Sequence, residues 1–239
     1  MAIKSKIKFK SIATTAFMLI WIFAAVVFAQ FLIGYPMLWL LGANFDLPVW
    51  TAVFSALSYI LALVLIIFVP PKLFKVWHTD REELGLSNLP TWTDIGLAPI
   101  GFIVGLILAA IFAAIFSLFP WFDATEAQNV GFNTYLAGGD RIIAFFTLTV
   151  VAPIAEEIIF RGWLYGKLRA KYSAPLAILL TSFLFALVHL QWNVGVNVFA
   201  LSIVLCSLRE ITGTIYAGIL THMLKNGVAF YLLYVIGIS

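Results

Sequence analysis

The sequence predicts an all-α polytopic membrane protein of seven or eight transmembrane helices, with its N-terminus cytoplasmic. Three observations carry this. Hydrophobic residues make up 63% of the 239 residues and charged residues 10%, against about 45–50% and about 25% in an ordinary globular domain. The apolar residues fall in runs close to the roughly 20 residues a helix needs to cross a bilayer. Lysine and arginine concentrate in alternate loops between those runs, as they do on the cytoplasmic side of membrane proteins. A mean hydropathy of +1.06 excludes intrinsic disorder, which goes with few apolar residues. Cys206 is the only cysteine, which leaves no disulfide framework and no cysteine-based zinc or iron–sulfur site. The net charge of +3 is scattered among hydrophobic spans, so nothing resembles a nucleic-acid-binding patch.

The spans follow in order. The first runs over 12–33 and is preceded by the basic stretch MAIKSKIKFK. It has no small-residue cleavage site, so it reads as a retained helix, not a removed signal peptide. The apolar segment 34–41 either extends it or lies at the interface, since it holds Pro36, Tyr35 and Trp39. Further spans are expected over 49–69, 95–119, 142–163 and 175–190, then a short one over 194–207 and a longer one over 213–236. With the N-terminus inside, twelve of the fourteen basic residues fall on cytoplasmic flanks: Lys4, Lys6, Lys8, Lys10, Lys72, Lys75, Arg81, Arg161, Lys167, Arg169, Lys171 and Arg209. Arg141 is outside, in a region that also carries Asp123, Glu126 and Asp140, and Lys225 lies within a span. The polar stretch 78–94 divides the chain into N-terminal transmembrane helices with a cytoplasmic loop (1–94) and a transmembrane core (95–239). No internal repeat is evident.

Ionisable residues inside spans are costly, about 2.5–3.5 kcal/mol at the centre for Asp, Lys or Arg, and mark function by default. Here they cluster in the C-terminal half, and the polar residues of the first three spans, such as Gln30, Ser55 and Ser58, read as helix-packing groups. Glu156 and Glu157 are adjacent, and Arg161 follows Glu157 by one helical turn, a spacing that holds Glu157 ionised. Glu156 points about 100° away and is left free for a water or a metal. His189 lies as far from the turn at 172–175 as Glu156 does, so a helical hairpin would bring the two to one depth. For that, the fourth helix has to extend beyond the bilayer, which suits Lys167, Arg169 and Lys171. His222 and Asn226 share a helix face at i, i+4, and Lys225 lies close to that face. Carboxylates, imidazoles and an amide inside a membrane are groups suited to water activation and oxyanion stabilisation.

These segments resemble the CPBP intramembrane proteases, which include the type II CAAX prenyl endopeptidases and the bacteriocin-processing or immunity (Abi) proteins. The family motifs EExxxR, FxxxH and HxxxN stand here at 156–161, 185–189 and 222–226, as Glu156-Glu157-Ile-Ile-Phe-Arg161, Phe185-Ala-Leu-Val-His189 and His222-Met-Leu-Lys-Asn226. The resemblance covers about 140–230, and the first three spans match only in being hydrophobic. It implies hydrolysis of a peptide bond in a membrane-associated, CAAX-type substrate, within a multi-pass protein of the cell membrane. Glu156 and His189 would activate water, His222 and Asn226 would stabilise the oxyanion, and Glu157 and Arg161 would support Glu156. Phe185 would pack beneath His189. Two cofactor readings stay open, no metal or Zn2+ held by Glu156, His189 and His222, and the HExxH zinc box is missing. The expected partners are the bilayer and a membrane-anchored peptide or protein, with no nucleic acid. The competing reading is a non-catalytic binding or bacteriocin-immunity protein that sequesters a peptide or partner. A proton-coupled transporter is a third.

Overall fold

The computed structural model describes residues 2–123, Phe132, Leu136 and 138–237, with side chains from Ala13 onward except at positions 43 and 46. The side chains of Lys4, Lys6, Lys8 and Lys10, and the whole of Glu126, lie outside this description. Among the described residues the chain is helical and contains no strand. Seven helices are used below: α1 (Ala2–Leu41), α2 (Pro48–Phe74), α3 (Trp92–Phe116), α4 (Gly138–Arg169), α5 (Ala174–Leu187), α6 (Trp192–Thr212) and α7 (Tyr216–Ile236).

Local chemistry sets the helix ends. Pro48 opens α2, where its fixed φ suits the first turn. The α3 helix begins with a capping box in which Thr91 Oγ1 accepts from the Asp94 amide and the Asp94 carboxylate accepts from the Thr91 amide. Gly213 ends α6 at φ 71°, a left-handed conformation that only glycine adopts without penalty, and α7 starts three residues later.

Six of the seven helices are long and apolar enough to cross a membrane, so the chain is a multi-pass membrane protein. The exception is α5. Its 14 residues span about 21 Å at 1.5 Å each, short of a hydrocarbon core about 30 Å thick. The expected short span at 194–207 is instead a full 21-residue helix. Segment 34–41 continues α1 without a break through Pro36, so no separate interfacial helix forms there. The 32 residues of α4 reach about 48 Å, which agrees with a fourth helix longer than the bilayer is thick.

A shared apolar core joins the two ends of the chain. Met18 and Ile22 of α1, Ile66 of α2, Trp163 and Leu168 of α4 and Phe185 of α5 pack in one cluster. The α3 helix lies against α6 and α7, where Thr221 Oγ1 donates to the Ala98 carbonyl. The loop after α2 is pinned to the C-terminal helices by Lys167, which pairs with Glu83 at 2.6 Å, and by Arg209, which donates to the Glu83 carbonyl. Lys167 and Arg161, expected on the cytoplasmic flank of the fourth span, are both buried. Each has a carboxylate partner, which removes the need to reach water.

Candidate functional site

The α4 helix is irregular where its glutamates sit. Two π-helical stretches, Thr147–Val151 and Ile158–Leu164, bracket the α-helical turn Ala152–Glu157. Such turns often mark functional positions in helices. The first has a cause legible in the sequence. In this register the Ala152 amide donates to the Thr147 carbonyl, so the next carbonyl, Leu148, would meet residue 153. That residue is proline and has no N–H to give. The orphaned Leu148 carbonyl takes its hydrogen bond from Asn226 Nδ2 of α7 at 2.9 Å. Asn226 therefore links α7 to α4 directly, and this bond uses one of its two amide hydrogens.

Glu157 and Arg161 are fully buried and joined at 2.9 Å. The same Glu157 oxygen accepts from His222 Nδ1 at 3.1 Å, so Nδ1 carries a hydrogen, because an ionised carboxylate can only accept. Gly218 lies one turn before His222 on α7 and makes this approach possible. A Cβ there would sit 2.9 Å from the other Glu157 oxygen. The sequence reading had Glu157 and Arg161 supporting Glu156. In the structure Glu157 contacts His222, and Arg161 holds the Glu157 carboxylate in that position.

Glu156 is not left free, contrary to expectation. Its Oε1 accepts from the Tyr59 hydroxyl at 2.7 Å, and its Oε2 lies 3.8 Å from His222 Nε2. The α2 helix packs across α4 and brings Tyr59 to the carboxylate. Sequence reasoning missed Tyr59 because a tyrosine in an apolar span resembles an ordinary packing residue. The available signal was its mid-span position in 49–69, away from the interfaces where tyrosine is usual.

His189 follows the end of α5. Its Nδ1 is 2.7 Å from the Phe185 carbonyl, an acceptor, so Nδ1 donates and Nε2 keeps its lone pair when the ring is neutral. His189 lies within electrostatic reach of Glu156, His222 and Lys225. Phe185 lies beneath it as expected, with ring centroids 4.9 Å apart and planes at 72°. Phe185 does more than pack there. The Arg161 guanidinium stands 4.3 Å above its ring, a cation–π contact, and its edge meets His222 at 6.1 Å.

The zinc set is not assembled. Among the described residues, no three His, Cys, Asp or Glu side chains form a group able to hold a metal ion. His222 directs both ring nitrogens at carboxylates and His189 commits Nδ1 to a carbonyl.

This is a membrane-embedded cluster of two carboxylates, two imidazoles and a tyrosine. Residues 138–228, which contain all three motifs, match the family model described as type II CAAX prenyl endopeptidase Rce1-like. The match bears out the resemblance to the CPBP family and supports a hydrolase of the protease class at family level. The chain is also similar to the UPF0177 protein YbdI of Lactococcus lactis subsp. lactis (strain IL1403), at 26% identity over 142 residues, 59% of this chain and 74% of that protein. No solved structure matches.

Proposed function

We propose that the protein is an intramembrane endopeptidase of the cell membrane, with its N-terminus cytoplasmic, that uses Glu156 as general base. The single observation that carries this is Glu156, partly exposed at 19% of its side chain, beside His189 and His222 in a membrane interior. A water held between Glu156 and His189 Nε2 loses a proton to the Glu156 carboxylate as its oxygen attacks the peptide carbonyl carbon. The carbonyl oxygen becomes an oxyanion. His222 Nε2 can donate to it when both ring nitrogens carry a hydrogen. The second amide hydrogen of Asn226 is a further candidate donor. Glu156 then returns the proton to the leaving nitrogen, and the C–N bond breaks. Tyr59 fixes which way Glu156 faces. The CAAX-type, prenylated character of the substrate comes from the matched family's description.

The test compares wild type with Glu156→Gln in membranes, by mass spectrometry of C-terminal peptides. Product that appears only with wild type supports the reading. A cellular phenotype that survives Glu156→Gln would instead favour the sequestering protein, because glutamine keeps the shape and loses the base.

A further inference from the structure

Arg161 is tied to Glu157 at one corner only. A guanidinium carries N–H donors on all three of its nitrogens, and the Glu157 contact engages Nη1. Nε and Nη2 lie along another edge of the group, and among the described residues neither meets an acceptor. The Phe185 ring stands against the face of the guanidinium, 4.3 Å from its central carbon, so it takes none of these edge hydrogens. The side chain is fully buried, which keeps bulk water away. Three hydroxyls share this condition. Thr181, Ser182 and Ser202 are fully buried, and their oxygens have no partner among the described residues. Thr181 and Ser182 come one turn before Phe185 on α5, on the face that carries its ring. On α6, Ser202 comes one turn before Cys206, and Cys206 Sγ lies beside both the Arg161 guanidinium and the Ser182 hydroxyl. Phe185 and Cys206 belong to one packed cluster. The unpaired groups of α4, α5 and α6 therefore converge on one edge of Arg161.

Buried polar groups are nearly always paired, with protein or with ordered water. A thiol sulfur is a weak acceptor, and one sulfur cannot serve every hydrogen along a charged edge. The side chains that meet this edge are all small, which suits a guest of about 30 Å³, the share of one water in the liquid. We infer that α4, α5 and α6 enclose a bound water that accepts from Arg161 Nε and Nη2 and donates to the Ser182 and Ser202 oxygens. Water fits better than an anion, because Glu157 already neutralises the arginine and a second negative charge at this depth would stand uncompensated. The water holds the guanidinium on an edge that Glu157 does not use. Through Arg161 it steadies the carboxylate that contacts His222. Nothing in this site depends on whether the protein cleaves peptides.

The probe is water itself, split in place by short X-ray pulses into hydroxyl radicals that oxidise the side chains beside it. The full chain is irradiated in nanodiscs, and mass spectrometry reads the oxidised residues. Cys206 is the reporter and Met18 the reference. Both carry reactive sulfur and both are 0% exposed, but Met18 packs among apolar side chains. After correction for intrinsic reactivity, Cys206 should be oxidised at least about 10-fold faster than Met18, since an apolar cluster stays dry and a polar pocket holds water. Ser182→Val puts methyl groups where the water stands and should bring Cys206 down to the Met18 rate. Ser182→Ala keeps the space and should leave the Cys206 rate raised. Equal rates at Cys206 and Met18 in the wild type overturn the inference, and so does a Cys206 rate that stays raised in Ser182→Val. If Ser182→Val does not fold, hydrogen exchange of the α6 amides in the wild type decides. Fast oxidation of Cys206 with slow exchange over 202–206 means that the radical forms inside the closed protein, as inferred. Fast exchange there means that bulk water enters by local opening, and the inference fails.

Discussion

The hairpin of α1 and α2 and the bundle of α4 to α7 are both apolar, yet they use hydrophobicity differently. In their most apolar stretches α1 and α2 are 22% and 28% buried, whereas α4 and α6 are 39% and 56% buried; α7, at 22%, is covered no more than α1. Phe28, Phe31, Tyr35 and Trp39 of α1 lie exposed on the molecule's surface, where acyl chains would cover them. The C-terminal bundle turns inward Glu157, Arg161, Thr181, Ser182, Ser202, Thr221 and His222. Lipid solvates leucine as well as another helix does, so apolar burial gives little drive for helices to associate in a membrane. Packing and polar contacts have to supply it. The comparison teaches that hydropathy marks which segments cross, and buried polar groups mark which faces meet.

Glu156→Ala and His189→Ala should produce the largest functional effects. Each should lower cleavage by at least about 10²–10⁴-fold, the range for a positioned acid or base, while the protein still inserts. Gel or mass-spectrometric product assays check this, with fluorescence size-exclusion chromatography to show folding. Unchanged activity in both variants would erase the functional contrast between the two regions.

Arg161→Met should give the largest stability effect. It leaves the Glu157 carboxylate without its arginine in a buried site, with only the His222 ring beside it, a loss of about 3–5 kcal/mol. It also frees the His222 ring to turn, because Glu157 loses its tether. Thermal unfolding in detergent should show a markedly lower midpoint. Replacing both partners, as Glu157→Gln with Arg161→Met, should recover part of the stability but not the activity, since the His222 ring loses the tethered carboxylate that orients it. Gly218→Ala sharpens the same point from the other helix. Its methyl group would meet the Glu157 carboxylate at 2.9 Å, so it should lower activity by pushing that carboxylate or α7 aside.

Much of the site was legible because its polar groups sit where a membrane penalises them. Glu156, Glu157, Arg161, His189, His222 and Asn226 stand out in the sequence for that reason alone. Which of them touch was less legible. The i, i+4 rule gave the Glu157–Arg161 pair correctly, but it could not show that Glu157 turns to His222, since that depends on how closely Gly218 lets α7 approach. Nor could spacing show that Asn226 serves the Leu148 carbonyl, because this follows from a π register set around Pro153. For the fold, the spans near 12–33 and 49–69 were readable from hydropathy. The lengths of α5 and α6 were misassigned, because nearly continuous apolar sequence around a mid-chain turn does not say where each helix stops.

Tyr59 is where the two regions stop being separable, and Tyr59→Phe tests it. The change removes one oxygen and keeps the ring that packs between α2 and α4. A hydrogen bond to a charged group contributes about 1.5–3 kcal/mol, so turnover should fall by about 10–100-fold with little change in unfolding temperature. A fall in kcat with KM unchanged would place Tyr59 on the reacting carboxylate; a change in KM alone would place it on substrate entry.

The smallest effects should come from the surface of the same hairpin. Phe31→Leu and Leu38→Ala on α1 remove area from side chains that are 66% and 53% exposed. Nothing polar depends on either side chain, and lipid fills the space they leave, so stability and cleavage should stay within about 0.5 kcal/mol of wild type. A substantial loss of activity from either change, with unfolding unaltered, would mean that this face meets a protein partner or the substrate's membrane anchor. The N-terminal hairpin would then belong to the recognition machinery, not only to the wall that carries Tyr59.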